Sequence, residues 1–153
     1  MKIRDAQTSD IEKIQQLNAR LSKKEKEEYD PTIDQEYTLT DEAADWYRQR
    51  IRNGFAQVAE KDGETIGYII AGTHQAENFR QIQEIAELET MYLKPEHRSE
   101  GLGTQLVENF KDWATKQDVD RLRVEASAEN KGAIKFYRRN GFENYALTLE
   151  EDF

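Results

Sequence analysis

The stretch YLKPEHRSEGLGTQLVENF, Tyr92 to Phe110, decides how this chain is read. An extended run closes at Leu93, a strongly periodic helix opens near Leu102, and Arg98, Gly101 and Gly103 stand between them. The first N–H groups of a helix have no partner inside it, and the helix dipole favours an anion there. Glycines let the backbone approach a ligand closely, and an arginine adds charge-assisted hydrogen bonds. The loop is therefore suited to phosphate, although a tight strand-to-helix turn accounts for two glycines equally well.

Working outward, KIRDAQ reads as a short first strand and TSDIEKIQQLNARLSKKEKEE as a helix. Ser9 and Glu12 have capping-box spacing, and Ile11, Ile14, Leu17 and Leu21 form one apolar stripe. YDPTIDQEYTLT has no period and reads as a loop. DEAADWYRQRI is a second helix, with Ala44, Tyr47 and Ile51 along one side. In FAQVAEKDGETIGYIIAG two β-rich runs flank Asp62-Gly63, a dipeptide suited to the positive φ angles of a hairpin turn. EIAELETMYL is a fourth strand, its alternation placing Glu87, Glu89 and Met91 on one face and Leu88, Thr90 and Tyr92 on the other. After the loop comes a helix carrying Leu102, Leu106, Phe110 and Trp113 on one face. DRLRVEAS is a fifth strand, ENKGAIKFYRRN a short helix stopped by Gly141, and FENYALTLEE a closing strand. The order β-α-α-β-β-β-α-β-α-β predicts an α/β fold, of the α+β kind, on one mixed sheet.

A chain of 153 residues with 37% hydrophobic content is expected to fold as a single domain, 1–153, with its own core. No apolar run approaches the roughly 20 residues of a membrane span, and MKIRDAQTSD lacks a secretory pattern, so a cytoplasmic protein with no membrane partner is expected. With no cysteine there is neither a disulfide framework nor a cysteine nucleophile. His74 and His97 lack ligand spacing, so no metal is expected, and His97 reads as a surface residue. The net charge of −9 disfavours a nucleic-acid partner, which would require basic neutralisation of phosphates, and makes a cationic partner easier. Much of the acid does no more than keep a small protein soluble.

Three phosphate motifs can be held against the loop. A Walker A loop fails for want of Gly-Lys-Ser/Thr. A dinucleotide fingerprint fails because Leu106 stands where its third glycine belongs and KPEHR separates strand from first glycine. The third is Arg-x-x-Gly-x-Gly after a strand ending in Leu-x-Pro. YLKPEHRSEGLG resembles motif A of the GNAT superfamily of acetyl-CoA-dependent N-acetyltransferases. LRVEASAENKGAIKFYRRNGF resembles that family's motif B through Asn130, Ala133, Tyr137, Gly141 and Phe142. Both blocks stand in family order and spacing, and the element order matches the family sheet.

The resemblance implies acetyl-CoA as co-substrate, no metal, and an amine acceptor that is a small molecule or a peptide. It implies that backbone groups of Met91, Tyr92 and Leu93 pair with the pantetheine and that one N–H stabilises the oxyanion of the tetrahedral intermediate. Arg98 and the N–H groups of Ser99, Glu100, Gly101, Leu102, Gly103 and Thr104 would hold the pyrophosphate, the Glu100 side chain pointing to solvent. Asn130 would bond the pantetheine, and Tyr137, two turns on with Ile134 between, would protonate the departing thiolate. Read alone, Asn130 is also a helix cap and Tyr137 a packed core tyrosine. Lys135, Arg138 and Arg139 would meet the 3′-phosphate or form a solvated face. An ammonium near ~10.4 must lose a proton before attack, and Glu87 or Glu89 is the expected helper, directly or through a water. Family acceptors are largely chosen by the first two helices and their loop. Here that segment holds Tyr29, Asp30, Asp34, Glu36, Tyr37, Asp41 and Asp45, suggesting a polyamine, a lysine side chain or a protein N-terminus. Members of the family often dimerise, which makes a homodimer one of the implications. A non-catalytic acyl-CoA-binding module of the same fold is the competing reading.

Overall fold

The structure, a computed structural model, describes all 153 residues. Strands β1 (Lys2–Asp5), β2 (Phe55–Lys61), β3 (Glu64–Gln75), β4 (Glu84–Leu93) and β5 (Arg121–Val124) lie in that order across one sheet. The first three pairings are antiparallel and β4–β5 is parallel. Helices α1 (Ile11–Glu28), α2 (Asp41–Asn53), α3 (Leu102–Ala114) and α4 (Lys131–Arg139) complete the mixed α/β fold, and the first nine predicted elements appear in predicted order. The tenth does not: residues 142–151 make no strand, and Tyr145, Leu147 and Leu149 lie 59%, 72% and 84% exposed. That segment pairs with no edge of the sheet, and the outer edge of β5 is left open.

Apolar stripes fix the layers. Ile11, Ile14 and Leu17 of α1 and Ala43, Ala44 and Tyr47 of α2 pack with Val58, Tyr68, Ile70 and Tyr92 on one face of the sheet. Leu106, Val107 and Phe110 of α3 pack with Ile69, Leu88 and Ala86 on the other, joined by Phe136 and Tyr137 from α4. The Asp62-Gly63 turn has φ of 52° and 80°, as the hairpin reading requires. The first helix begins differently from its predicted cap. A 3₁₀ turn over Thr8–Asp10 precedes it, and Asp10, not Glu12, accepts from the Gln7 N–H at 2.8 Å while Arg4 forks onto its carboxylate at 2.8 and 2.9 Å.

One irregularity shapes the site. The β3–β4 register slips between Ile70 and Ala71, opposite Thr90 and Leu88, so Glu89 is the extra residue of a β-bulge. Strict alternation therefore breaks. Glu89 joins Glu87 on the side of α1 and α2, Thr90 and Tyr92 stay on that side, and Met91 packs with Leu88 beneath α3. Pairing of β4 with β5 ends at Leu88↔Val124, so β4 runs on to Leu93 with its outer edge unpaired.

Candidate active site

Where β4 and β5 part, a cleft of about 310 Å³ opens. Asn18, Ser22 and Glu25 of α1 wall one side, Leu88 to Met91 form its floor, and Glu125 to Ser127 with Asn130 and Tyr137 close the other. The two motif B residues thus face one space, as their seven-residue spacing predicts. Asn130 also caps α4, its Oδ1 accepting from the Ala133 N–H at 3.1 Å. Tyr137 packs edge-on between Phe136 and Phe142, at 5.3 and 6.0 Å, and is half-buried. Burial first, and the negative charge of Glu25 second, push its phenol up to about 12. It therefore stays protonated throughout the neutral range.

The free edge of β4 leads to the phosphate loop. Arg98 donates from Nε to the Leu93 carbonyl at 2.8 Å, its guanidinium 5.4 Å from the Tyr92 ring, so it is anchored at the strand end. Ser99 and Gly101 both have positive φ, 66° and 85°, which turns the chain into α3. Gly101 is the N-cap and no side chain caps the helix, leaving the amides of its first turn open. A Cβ on Gly101 would meet nothing within 4 Å, whereas one on Gly103 would press on Phe136 at 3.3 Å. The first glycine serves the turn and the open approach; the second serves the packing of α3 on α4. Glu100 is exposed, and Lys135, Arg138 and Arg139 are exposed along α4, with Arg138 bonded to Asn144 at 2.9 Å. His97, expected at the surface, is half-buried, its Nδ1 enclosed without a hydrogen-bond partner.

The acidic end of the site sits on β3 and β4. Glu89 is 11% exposed and forked by Arg50 of α2, at 2.5 Å to Oε1 and 2.8 Å to Oε2. Arg50 is itself braced over the Trp46 ring at 5.0 Å. Gly72 makes room for the pair: a Cβ there would lie 2.8 Å from Arg50 Nε and 3.0 Å from Glu89 Oε1. His74 brings Nε2 to 3.1 Å from Glu89 and 3.5 Å from Glu87, a cluster that ligand spacing in the sequence did not reveal. Burial, with smaller repulsions from Glu125 and Glu89, pushes the Glu87 carboxyl up against an opposing pull from His74. Behind the floor, Asn18 donates to the Tyr68 and Thr90 hydroxyls at 2.6 and 3.0 Å, tying α1 to the bulge. The acids of the loop between α1 and α2, and Asp45 of α2, lie elsewhere. Asp30 accepts from Thr32, Asp34 from the Glu36 N–H and Asp45 pairs with Arg48, while the carboxylates that line the cleft are Glu25, Glu89 and Glu125.

A mixed sheet parted beside a glycine-capped helix defines an acyl-CoA N-acyltransferase fold, and comparison agrees. Residues 14–142 match the sequence model of the acetyltransferase (GNAT) family, and the chain belongs to that family. An uncharacterized N-acetyltransferase of Escherichia coli is 33% identical over 133 residues, covering 84% of this chain and 77% of that protein. An uncharacterized N-acetyltransferase of Methanocaldococcus jannaschii is 33% identical over 98 residues, 64% of this chain but 42% of the relative. One from Archaeoglobus fulgidus is matched over 61% of its length. The chain thus spans roughly half the length of these two archaeal relatives. Among solved structures, a mutant of the BH1408 protein of Bacillus halodurans superposes with a TM-score of 0.86 at 16% identity, covering 100% of this chain and 99% of the other. The aminoglycoside N-acetyltransferase AAC(6')-Iy in complex with a bisubstrate analogue of CoA gives 0.75 at 20% identity, covering 99% and 97%. No helix is long and apolar enough to cross a membrane.

Proposed function

We propose that the chain transfers the acetyl group of acetyl-CoA to a primary amine by direct attack in a ternary complex. The observation that carries this is the cleft at the β4–β5 parting, where the free strand edge, Asn130, Tyr137 and the carboxylates Glu25, Glu89 and Glu125 converge. Arg98 and the open amides from Ser99 to Thr104 bind the pyrophosphate, and the backbone of Met91, Tyr92 and Leu93 pairs with the pantetheine. An N–H of that edge stabilises the oxyanion as the amine adds to the thioester carbonyl. The carbon–sulfur bond then breaks, and Tyr137 donates a hydrogen bond to the departing sulfur.

Between the two carboxylates, Glu87 suits the base. Both oxygens of Glu89 are taken by Arg50, and one by His74 as well. Glu87 has no such fork, and its raised affinity for a proton moves it toward the working pH. Glu89 then holds Arg50 and the floor in place. Glu25, Glu89 and Glu125 against one fixed guanidinium favour a cationic acceptor. Relatives named for an acceptor include an L-methionine sulfoximine/L-methionine sulfone acetyltransferase of Pseudomonas aeruginosa, matching amine chemistry though not one amine.

We also propose a homodimer through residues 143–153, since Tyr145, Leu147 and Leu149 are exposed at alternate positions while the outer edge of β5 is unpaired. The activity test offers acetyl-CoA with 1,4-diaminobutane, a lysine-containing peptide and an anionic amine, following release of coenzyme A thiol. Transfer to the cationic amines is expected. Acetyl-CoA binding with no turnover on any amine would favour the non-catalytic binding module instead.

A further inference from the structure

The cations near the acidic end of the site are almost all committed. Arg50, from α2, is forked on Glu89. Arg123, from β5, holds Glu77 at 3.0 Å to both oxygens. Arg80, from the segment between β3 and β4, contacts the same Glu77 at 3.4 Å and lies over the Tyr145 ring at 4.3 Å. Facing them are Glu87 and Glu89 on β4 and Glu125 just past β5. Of these, Glu87 has no lysine or arginine in bonding range. What stands beside it is His74, whose Nε2 is 3.5 Å from one Glu87 oxygen and whose side chain is 40% exposed, open to protons from solvent.

We infer that His74 is the specificity-determining residue that sets the charge of the amine-binding end of the site. The inference rests on the acetyltransferase reading above. With a neutral imidazole, Glu87 is an unpaired carboxylate, ready to attract an acceptor's ammonium and then take its proton. With a protonated imidazole, the enzyme's own cation stands between Glu87 and Glu89, in the electrostatic place the acceptor would fill. Imidazole is the side chain whose charge is ordinarily varied between about pH 5 and 8, so pH and substitution are the two ways to vary the charge at this position. Glu89 is little affected, because Arg50 holds both its oxygens whatever the state of His74. The charge of position 74 is therefore the variable to test.

The test compares wild type with His74→Lys, a permanent cation, and His74→Gln, uncharged. It measures KM for 1,4-diaminobutane and KM for acetyl-CoA, and the calorimetric binding of 1,4-diaminobutane in the presence of coenzyme A. In wild type, diamine KM should rise severalfold as pH falls from about 8 to about 6. The Lys variant should show a diamine KM raised roughly tenfold already at pH 8, the scale of one partly screened charge contact, and should lose the pH response. The Gln variant should lose the rise between pH 8 and 6 and remain on the low-KM side. Acetyl-CoA KM should hold throughout, reporting an intact fold. A Lys variant with wild-type diamine KM at pH 8 overturns the inference, as does a Gln variant impaired as much as Lys, which would mean that shape matters and charge does not. If all three proteins bind acetyl-CoA yet neither bind nor acetylate the diamine, the cationic-acceptor reading has failed and the inference falls with it.

Discussion

Replacing Tyr137 by Phe separates chemistry from packing. The hydroxyl makes no hydrogen bond in the protein, burial and Glu25 being the causes that act on it, and the ring contacts with Phe136 and Phe142 survive the change. Folding stability should therefore stay within about 0.5 kcal/mol. Turnover should not. Loss of one donor aimed at developing charge costs roughly 10²–10³-fold, or about 2.7–4 kcal/mol of barrier. The phenol at about 12 and a thiol near ~8.5 differ by about 3.5 pKa units, so leaving a full phenolate behind would cost about 5 kcal/mol. Tyr137 is thus better placed to donate a hydrogen bond to the departing sulfur than to surrender its proton outright. Because the acid form persists up to about pH 12, kcat should show no falling alkaline limb from this residue in the usual assay range. Coenzyme A release, measured beside urea denaturation, checks both halves. Turnover within threefold of wild type would remove Tyr137 from the mechanism, and a large loss of stability would show its hydroxyl to be structural.

Three further outcomes follow from the geometry. Gly72→Ala should destabilise by about 1–3 kcal/mol, because its methyl lands 2.8 Å from Arg50 Nε; a stabilisation of about 0.4–1 kcal/mol, the usual effect of Gly→Ala at a compatible site, would show that the Arg50–Glu89 pair moves freely. Asp10, 4% exposed, is held below the usual carboxylate range chiefly by its hydrogen bonds to Arg4. Its contribution is present above the unfolded value of ~3.9 and lost as pH falls through the lower folded value. Asp10→Asn should therefore cost about 2–3 kcal/mol near neutrality and flatten the acid limb of a denaturation series, and an unchanged limb would contradict the assignment. Truncation after Phe142 should convert a dimer to a monomer in light scattering; a monomer in both forms would show that residues 143–153 are not the contact.

The fold was legible because local signals agreed with one another. The stripe Ile11–Ile14–Leu17, the Asp62-Gly63 turn and the glycine at the head of α3 each name an element without reference to anything distant. That Asn130 and Tyr137 face one space was legible for the same reason, since one caps and the other lies on a single short helix. What escaped depends on pairs of elements. The bulge that brings Thr90 and Tyr92 to the side of Glu87 and Glu89, and sends Met91 to the other, exists only in the register of β3 against β4. His74 reaches the two glutamates through that same pairing, and Arg50 arrives from α2. That Gly103 also leaves room for Phe136 was not legible, because nothing in the loop names that ring as its neighbour. The acid of the loop between the first two helices drew attention by its density, yet the cleft draws its charge from Glu25, Glu89 and Glu125. The closing segment has a strand's alternation, yet it pairs with no edge of the sheet, the open outer edge of β5 included.

The central claim, that the loop from Arg98 to Thr104 and the free edge of β4 bind acetyl-CoA, is tested most directly by thermal unfolding with acetyl-CoA, NAD and ATP in parallel. At a hundredfold excess over the dissociation constant, acetyl-CoA should add about 2.7 kcal/mol, a rise in Tm of roughly 5–10 °C for a chain of this size, with little response to the other two. No shift with acetyl-CoA, or an equal shift with NAD, would contradict the account.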